Sequence, residues 1–128
     1  MAEDKSEKWI FIVNPIAGNG FAITLVPEIE KMIRKYNIDG EIVLTERIGH
    51  ATELSKAYSG KGFKYIISVS GDGTLNEVAR PLINNKNVVI GIVPAGTGND
   101  FIQILGFPSR YGEKEWDRSF GGTEYEYG

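Results

Sequence analysis

An apolar run that ends on a glycine-rich turn constrains this chain more than any other feature. Tyr65-Ile66-Ile67-Ser68-Val69-Ser70 gives way to Gly71-Asp72-Gly73-Thr74, and Leu75-Asn76-Glu77-Val78-Ala79 follows with helical potential. The β-branched run reads as a buried strand, and the turn carries it sharply into a helix. At such a turn the helix presents unpaired backbone N–H groups, and glycines let a phosphate come close to them. A carboxylate beside a phosphate repels it unless a cation bridges the two or the carboxylate handles a proton. Asp72 therefore points to a magnesium–nucleotide complex or to acid/base chemistry. The plainer alternative is that Asp72 or Thr74 caps the following helix. Neither the Walker pattern nor the dinucleotide fingerprint applies, because Asn76 holds the last glycine position.

Two further segments share the design. Ile10-Phe11-Ile12-Val13 runs into Asn14-Pro15-Ile16-Ala17-Gly18-Asn19-Gly20, and Val88 to Val93 runs into Pro94-Ala95-Gly96-Thr97-Gly98-Asn99-Asp100-Phe101. In a parallel sheet the three loops collect at one edge, where ligands of open α/β folds bind. Asn-Pro-x-Ala-Gly-x-Gly, Gly-Asp-Gly-Thr and Pro-x-Gly-Thr-Gly-Asn-Asp-Phe, in that order from Ile10 to Pro108, resemble the diacylglycerol kinase catalytic domain family. That family includes bacterial soluble lipid kinases and sphingosine kinases.

The resemblance implies a Rossmann-like, three-layer α/β domain with a parallel sheet, binding ATP with Mg2+. It implies transfer of the γ-phosphoryl group to the hydroxyl of diacylglycerol or a related lipid during transient contact with a membrane surface. Carried over residue by residue, it places Asn14, Pro15, Ile16, Thr45, Arg47, Ser70, Gly71, Asp72, Gly73, Thr74, Leu75, Asn76, Glu77, Gly96 and Thr97 around the nucleotide. Asp72 would also organise magnesium or the acceptor hydroxyl, and no protein-only metal cage is expected. Several residues of these loops have plainer readings. Arg47 could be a solvated loop charge, Glu77 could favour its own helix dipole, and Asn99 or Asp100 could serve as N-caps in place of a ligand role. Phe21 and Gln103 stand where many members carry basic residues, which weakens the help available to phosphates. Ser70 replaces the commoner glycine, as in the sphingosine kinase branch. The resemblance also implies a longer protein with a second, β-rich domain that supplies a general base. The chain alone is then expected to be inactive in transfer, and its face toward that domain to be apolar and prone to self-association. NAD kinase, which shares Gly-Asp-Gly-Thr, is an alternative, as is a nucleotide-binding module without catalysis.

Composition narrows the remainder. At 128 residues, 41% hydrophobic and 24% charged, the chain suffices for one globular core. A net charge of −3 gives no electrostatic footprint for nucleic acid. There is no Cys, the charged start lacks a signal-peptide core, and the run from Ile10 to Val13 is far short of the ~20 residues that span a bilayer. A cytoplasmic protein is expected.

In chain order, residues 1–8 form a leader, 9–108 the ATP-binding domain and 109–128 a tail or the crossing to a further domain. Strands are expected at Trp9–Val13, Glu41–Glu46, Tyr65–Ser70 and Val88–Val93. Helices are expected over Phe21–Tyr36, beginning nearer Thr24 so that Pro27 falls in the first turn, then Ala51–Tyr58, Leu75–Leu82 and Gly96–Leu105. Asn37 and Asp39-Gly40 are expected to stop the first helix, and His50, the only histidine, to cap or pack at the start of the second. In the tail, Glu113–Phe120 has helical spacing and Thr123–Tyr127 alternates like a strand.

Overall fold

A computed structural model of the chain describes residues 7–95 and the strand 103–104. The expected helix opening at Gly96, the ligand residues Gly96 and Thr97, and the tail 109–128 lie outside the described residues. The elements are β1 (Lys8–Val13), α1 (Phe21–Thr24), α2 (Val26–Lys35), β2 (Asp39–Leu44), α3 (His50–Gly60), β3 (Tyr65–Ser70), α4 (Asp72–Ala79) with a 3-10 turn (Arg80–Leu82), β4 (Val89–Pro94) and β5 (Gln103–Ile104). They form one sheet in the order β2-β1-β3-β4-β5. The first four strands are parallel, and β5 joins β4 antiparallel.

Strand alternation builds the three layers. Phe11, Val13, Ile67 and Val69 face α1 and α2, meeting Ala22, Leu25 and Ile29. Ile10, Ile12, Ile66 and Ile90 face α3 and α4, meeting Ala51, Val78 and Leu82. All six residues of β3 are buried, as expected of the central strand of a sheet covered on both faces.

The ends of the elements show which residues do the stopping. Asn37 adopts a left-handed φ of 54° after α2. Its N–H donates to the Arg34 carbonyl (3.3 Å), and the Ile38 N–H donates to that of Ile33 (2.9 Å). Those two bonds satisfy carbonyls left over at the helix end. Asn37 alone therefore ends α2. Asp39 and Gly40 are free to pair with Lys8 and Trp9, and β2 starts two residues earlier than Glu41 and ends at Leu44. The expected single helix over Phe21–Tyr36 divides at Leu25, which caps α2 so that Pro27 falls in its first turn, where a missing N–H costs nothing. α4 begins at Asp72, three residues before the expected Leu75, and ends at Ala79 before Pro81. The expected helix through Leu105 is corrected at its described end: Gln103 and Ile104 pair with Ile92 and Gly91, covering an otherwise open edge of β4.

α3 ends in the same motif as α2. The Gly62 N–H donates to Ser59, the Phe63 N–H donates to Tyr58 (both 3.1 Å), and the Tyr58 and Phe63 rings meet edge-on at 4.9 Å. Gly62 has a φ of +94°, whereas Gly60 lies inside the helix with open space at its Cβ position. The two glycines should respond oppositely to alanine. In urea denaturation, Gly62→Ala is expected to destabilise by about 1 kcal/mol, and Gly60→Ala to stabilise by roughly 0.4–1 kcal/mol.

Candidate functional site

The chain leaves β1 toward β2 on one side and later returns to place β3 on the other. The carboxyl ends of β1 and β3 thus flank the crevice where ligands of open α/β sheets bind. Asn14, the first residue after β1, spans that crevice. Its N–H donates to the Val69 carbonyl (3.1 Å), its Nδ2 donates to Thr74 Oγ1 (2.9 Å), and its Oδ1 accepts from the Ile16 N–H (3.3 Å). The loop after β2 joins the same edge, since the Thr45 N–H donates to the Val13 carbonyl at 2.8 Å. Together these loops line a cleft of about 260 Å3 formed by Asn14, Pro15, Ile16, Thr45, Glu46, Arg47, Ile48, Thr74 and Glu77.

Gly71 and Gly73 form the turn beside this cleft. Gly71 is extended, with φ −100°, and neither residue has a positive φ. No described atom lies within 4 Å of where a Cβ would sit on either one. Neither the backbone conformation nor packing against the described residues calls for glycine here. Gly71 is the N-cap of α4, and neither Asp72 nor Thr74 caps the helix through its side chain. Asp72 is exposed in the first turn and makes no hydrogen bond or ion pair among the described residues. Asn76 is exposed and Leu75 is half-buried against the core under α4. Ser70 is fully buried beneath the turn.

Because α4 starts early, Glu77 falls in its second turn, and the plainer alternative of an interaction with its own helix dipole gives way to one with a neighbouring helix. Both carboxylate oxygens accept from the Gly49 N–H (3.2 and 3.3 Å), at the N-cap of α3. Negative charge there is favoured by unpaired N–H groups and the dipole. Two hydroxyls complete the joint. Pro81, four residues after Glu77, has no N–H to offer the Glu77 carbonyl, and Thr52 Oγ1 donates to that carbonyl instead at 2.8 Å. Ser55 Oγ, fully buried, donates to the Val78 carbonyl at 2.7 Å. The residue-level signals were Pro81 four positions after Glu77 and two hydroxyls three apart on α3, but the pairing spans more than twenty residues and no local pattern shows it.

Arg47 lines the cleft, yet its guanidinium is taken by Glu53 in a bidentate pair (Nη1–Oε2 3.1 Å, Nη2–Oε1 2.8 Å). That hydrogen bond holds the Glu53 carboxyl below the usual carboxylate range and raises the guanidinium. Both groups are exposed, so the pair contributes little to stability. His50 packs as expected at the start of α3, its Nδ1 accepting from the Glu46 N–H at 2.9 Å. Glu46 and Ile48, absent from the expected ligand set, also line the cleft.

The fold and this edge define an open α/β domain whose strand order reverses between β1 and β3. The model of the diacylglycerol kinase catalytic domain matches residues 8–125, and the chain belongs to that family. It is 33% identical over 99 residues to the diacylglycerol kinase of Staphylococcus carnosus, covering 77% of this chain and 32% of that protein. It is 35% identical over 108 residues to sphingoid long-chain bases kinase 1 of Arabidopsis thaliana, covering 77% of this chain and 14% of that one. A crystal structure of a diacylglycerol kinase from Bacillus anthracis superposes with a TM-score of 0.61 at 32% identity, over 75% of this chain and 33% of that one. The chain spans about a third of the length of these bacterial relatives. Its α/β fold is shared by its solved relatives in that family.

The joint between α3 and α4 can be tested by a double-mutant cycle. Thr52→Ala leaves the Glu77 carbonyl without a donor and is expected to cost about 1 kcal/mol in urea denaturation. In a Pro81→Ala background, where an N–H is restored four residues on, the same change should cost clearly less. Equal costs in both backgrounds would show that Thr52 does not stand in for the missing N–H.

Proposed function

We propose that this chain is the nucleotide-binding part of an ATP-dependent lipid kinase that phosphorylates the hydroxyl of diacylglycerol or a closely related lipid. The observation that carries the reading is the pair Gly71 and Gly73, glycine without a need in the described fold, facing open space beside a cleft. Room of that kind, at a helix N-terminus, suits the close approach of a phosphate. The adjoining cleft is smaller than the roughly 300–1000 Å3 typical of complete ligand pockets. It therefore suits part of a nucleotide, with a further wall supplied by a second domain in a longer protein.

The charges around the cleft favour a bridging cation. Glu46, Asp72 and Glu77 are acidic, and Arg47 is held by Glu53. Among the described residues no three His, Cys, Asp or Glu side chains are grouped to hold a metal. Magnesium on nucleotides commonly takes one or two carboxylates, phosphate oxygens and water, so the Asp72 carboxylate, without a partner among the described residues, fits one such position. Bound there, magnesium would offset the phosphate charge. The chain's own contribution is to hold the loops: Asn14 and Thr74 keep the edges of the crevice together, and Glu77 fixes the loop that carries Thr45. Gly96 and Thr97 would complete the nucleotide site. Transfer needs an aligned base as well, and mispositioning by ~1 Å can cost ~100-fold in rate, so the chain alone should bind nucleotide weakly and transfer negligibly. Among the described residues no helix is long and apolar enough to cross a membrane. We place the protein in the cytoplasm, meeting its lipid by transient contact with a membrane surface.

Gly73→Ala separates fold from function. A Cβ in the first turn of α4 meets no described atom and improves helix propensity, so stability should rise by up to about 1 kcal/mol. The same Cβ intrudes on the space assigned to phosphate, and Mg-ADP affinity by calorimetry should fall. A variant that is stabilised and binds Mg-ADP as well as the parent chain would contradict the placement of phosphate at this turn.

A further inference from the structure

Ser68 and Ser70 are the two polar residues in the central strand β3, and both are fully buried. Ser68 pairs in register with Ile12 on one side and Ile92 on the other, an environment in which an aliphatic side chain would gain more from burial. A buried hydroxyl persists in such a place only with partners, and these two have each other at 2.6 Å. Ser70 Oγ also lies 3.0 Å from the Gly71 carbonyl oxygen, to which it donates. Each hydroxyl carries a single proton. Since that of Ser70 goes to Gly71, the short contact must use the proton of Ser68, and the chain runs Ser68 to Ser70 to the Gly71 carbonyl.

The acceptor at the end of this chain belongs to the turn itself. The Gly71 carbonyl takes a second hydrogen bond from the Leu75 N–H at 3.1 Å, so both of its lone pairs are engaged. In a planar trans peptide the carbonyl and the following N–H point in opposite directions. Fixing the Gly71 oxygen against Ser70 and Leu75 therefore fixes the Asp72 N–H outward, away from the core and toward the open side of the glycines. Gly71 on the N-terminal side of that peptide leaves it free to rotate unless something holds it.

We propose that Ser68 and Ser70 are positioning residues for phosphate: their hydroxyl chain locks the Gly71–Asp72 peptide so that its N–H is preset toward the nucleotide's phosphates. Ser70 acts through the turn and does not touch the ligand, since its side chain lies beneath the turn with no exposure. This inference rests on the reading that nucleotide phosphate occupies the turn after β3.

The test compares ligands with and without phosphate on the parent chain, Ser70→Ala, and the double variant Ser68→Ala/Ser70→Ala. The double variant removes both hydroxyls and leaves no orphaned donor, which keeps the fold intact where the single one strains it. Titration calorimetry with Mg-ADP and with adenosine gives the readout. Both variants are expected to lose about tenfold in Mg-ADP affinity, with adenosine affinity unchanged. Equal Mg-ADP preference over adenosine in the parent and both variants would overturn the positioning role while leaving the nucleotide site in place. A parent chain that does not prefer Mg-ADP over adenosine would overturn the phosphate reading itself, and this inference with it.

Discussion

Parallel pairing of β1 with β2 on one side and β3 on the other is the constraint on which everything at the carboxyl edge depends. Val13 lies level with Leu44 and with Val69, and Val69 lies level with Val93. Four strands therefore finish together, and four loops leave from one line. A register slip of one residue would turn every core side chain of a strand to the opposite face. The apolar pattern that builds the two cores thus also aligns the loops.

What lies beyond the strand ends is held by polar contacts that the apolar core does not supply. Asn14 reaches across to Thr74, Glu77 reaches across to Gly49, and Thr52 and Ser55 tie α3 to the last carbonyls of α4. Each bond joins segments distant in sequence, and Asn14, Thr74 and Glu77 themselves line the cleft. Pro81 is central to this arrangement. By ending α4 it frees a carbonyl for Thr52, and in the same turn of helix Glu77 holds the loop carrying Thr45 and Arg47.

Much of this was legible in the residues. The β-branched runs before Asn14, Ser70 and Pro94 could only be buried strands, and Pro27 and Asn37 marked a helix start and stop by their own backbone chemistry. The three ordered loop motifs pointed to the family to which the chain belongs. Less legible was the start of α4, because Gly71-Asp72-Gly73 reads as a break. In the first turn those residues cost little, since the N–H groups there have no helical partner in any case. Gly40, expected as a stop, instead pairs with Trp9 in β2, where an added Cβ would lie 3.3 Å from the Ile33 and Ile38 side chains, a tightness no local pattern reveals. The partner of Glu77 is 28 residues away, and the pairing of Gln103 with Ile92 depends on the sheet already existing. Neither the resemblance, which makes Arg47 a ligand, nor the plainer reading of a solvated loop charge anticipates Glu53, six residues on, as the group that holds it.

The central claim is that nucleotide phosphate meets the carboxyl edge of the sheet at the switch between β1 and β3. Amide chemical-shift mapping of the labelled chain during titration with Mg-ADP tests it most directly. The account predicts the largest changes at the backbone amides of Gly71 to Thr74, with further changes at Asn14, Ile16 and the loop from Thr45 to Ile48, and little change at the opposite edge around Lys8, Lys64 and Val89. Shifts concentrated at that opposite edge, or spread without regard to the strand ends, would contradict it.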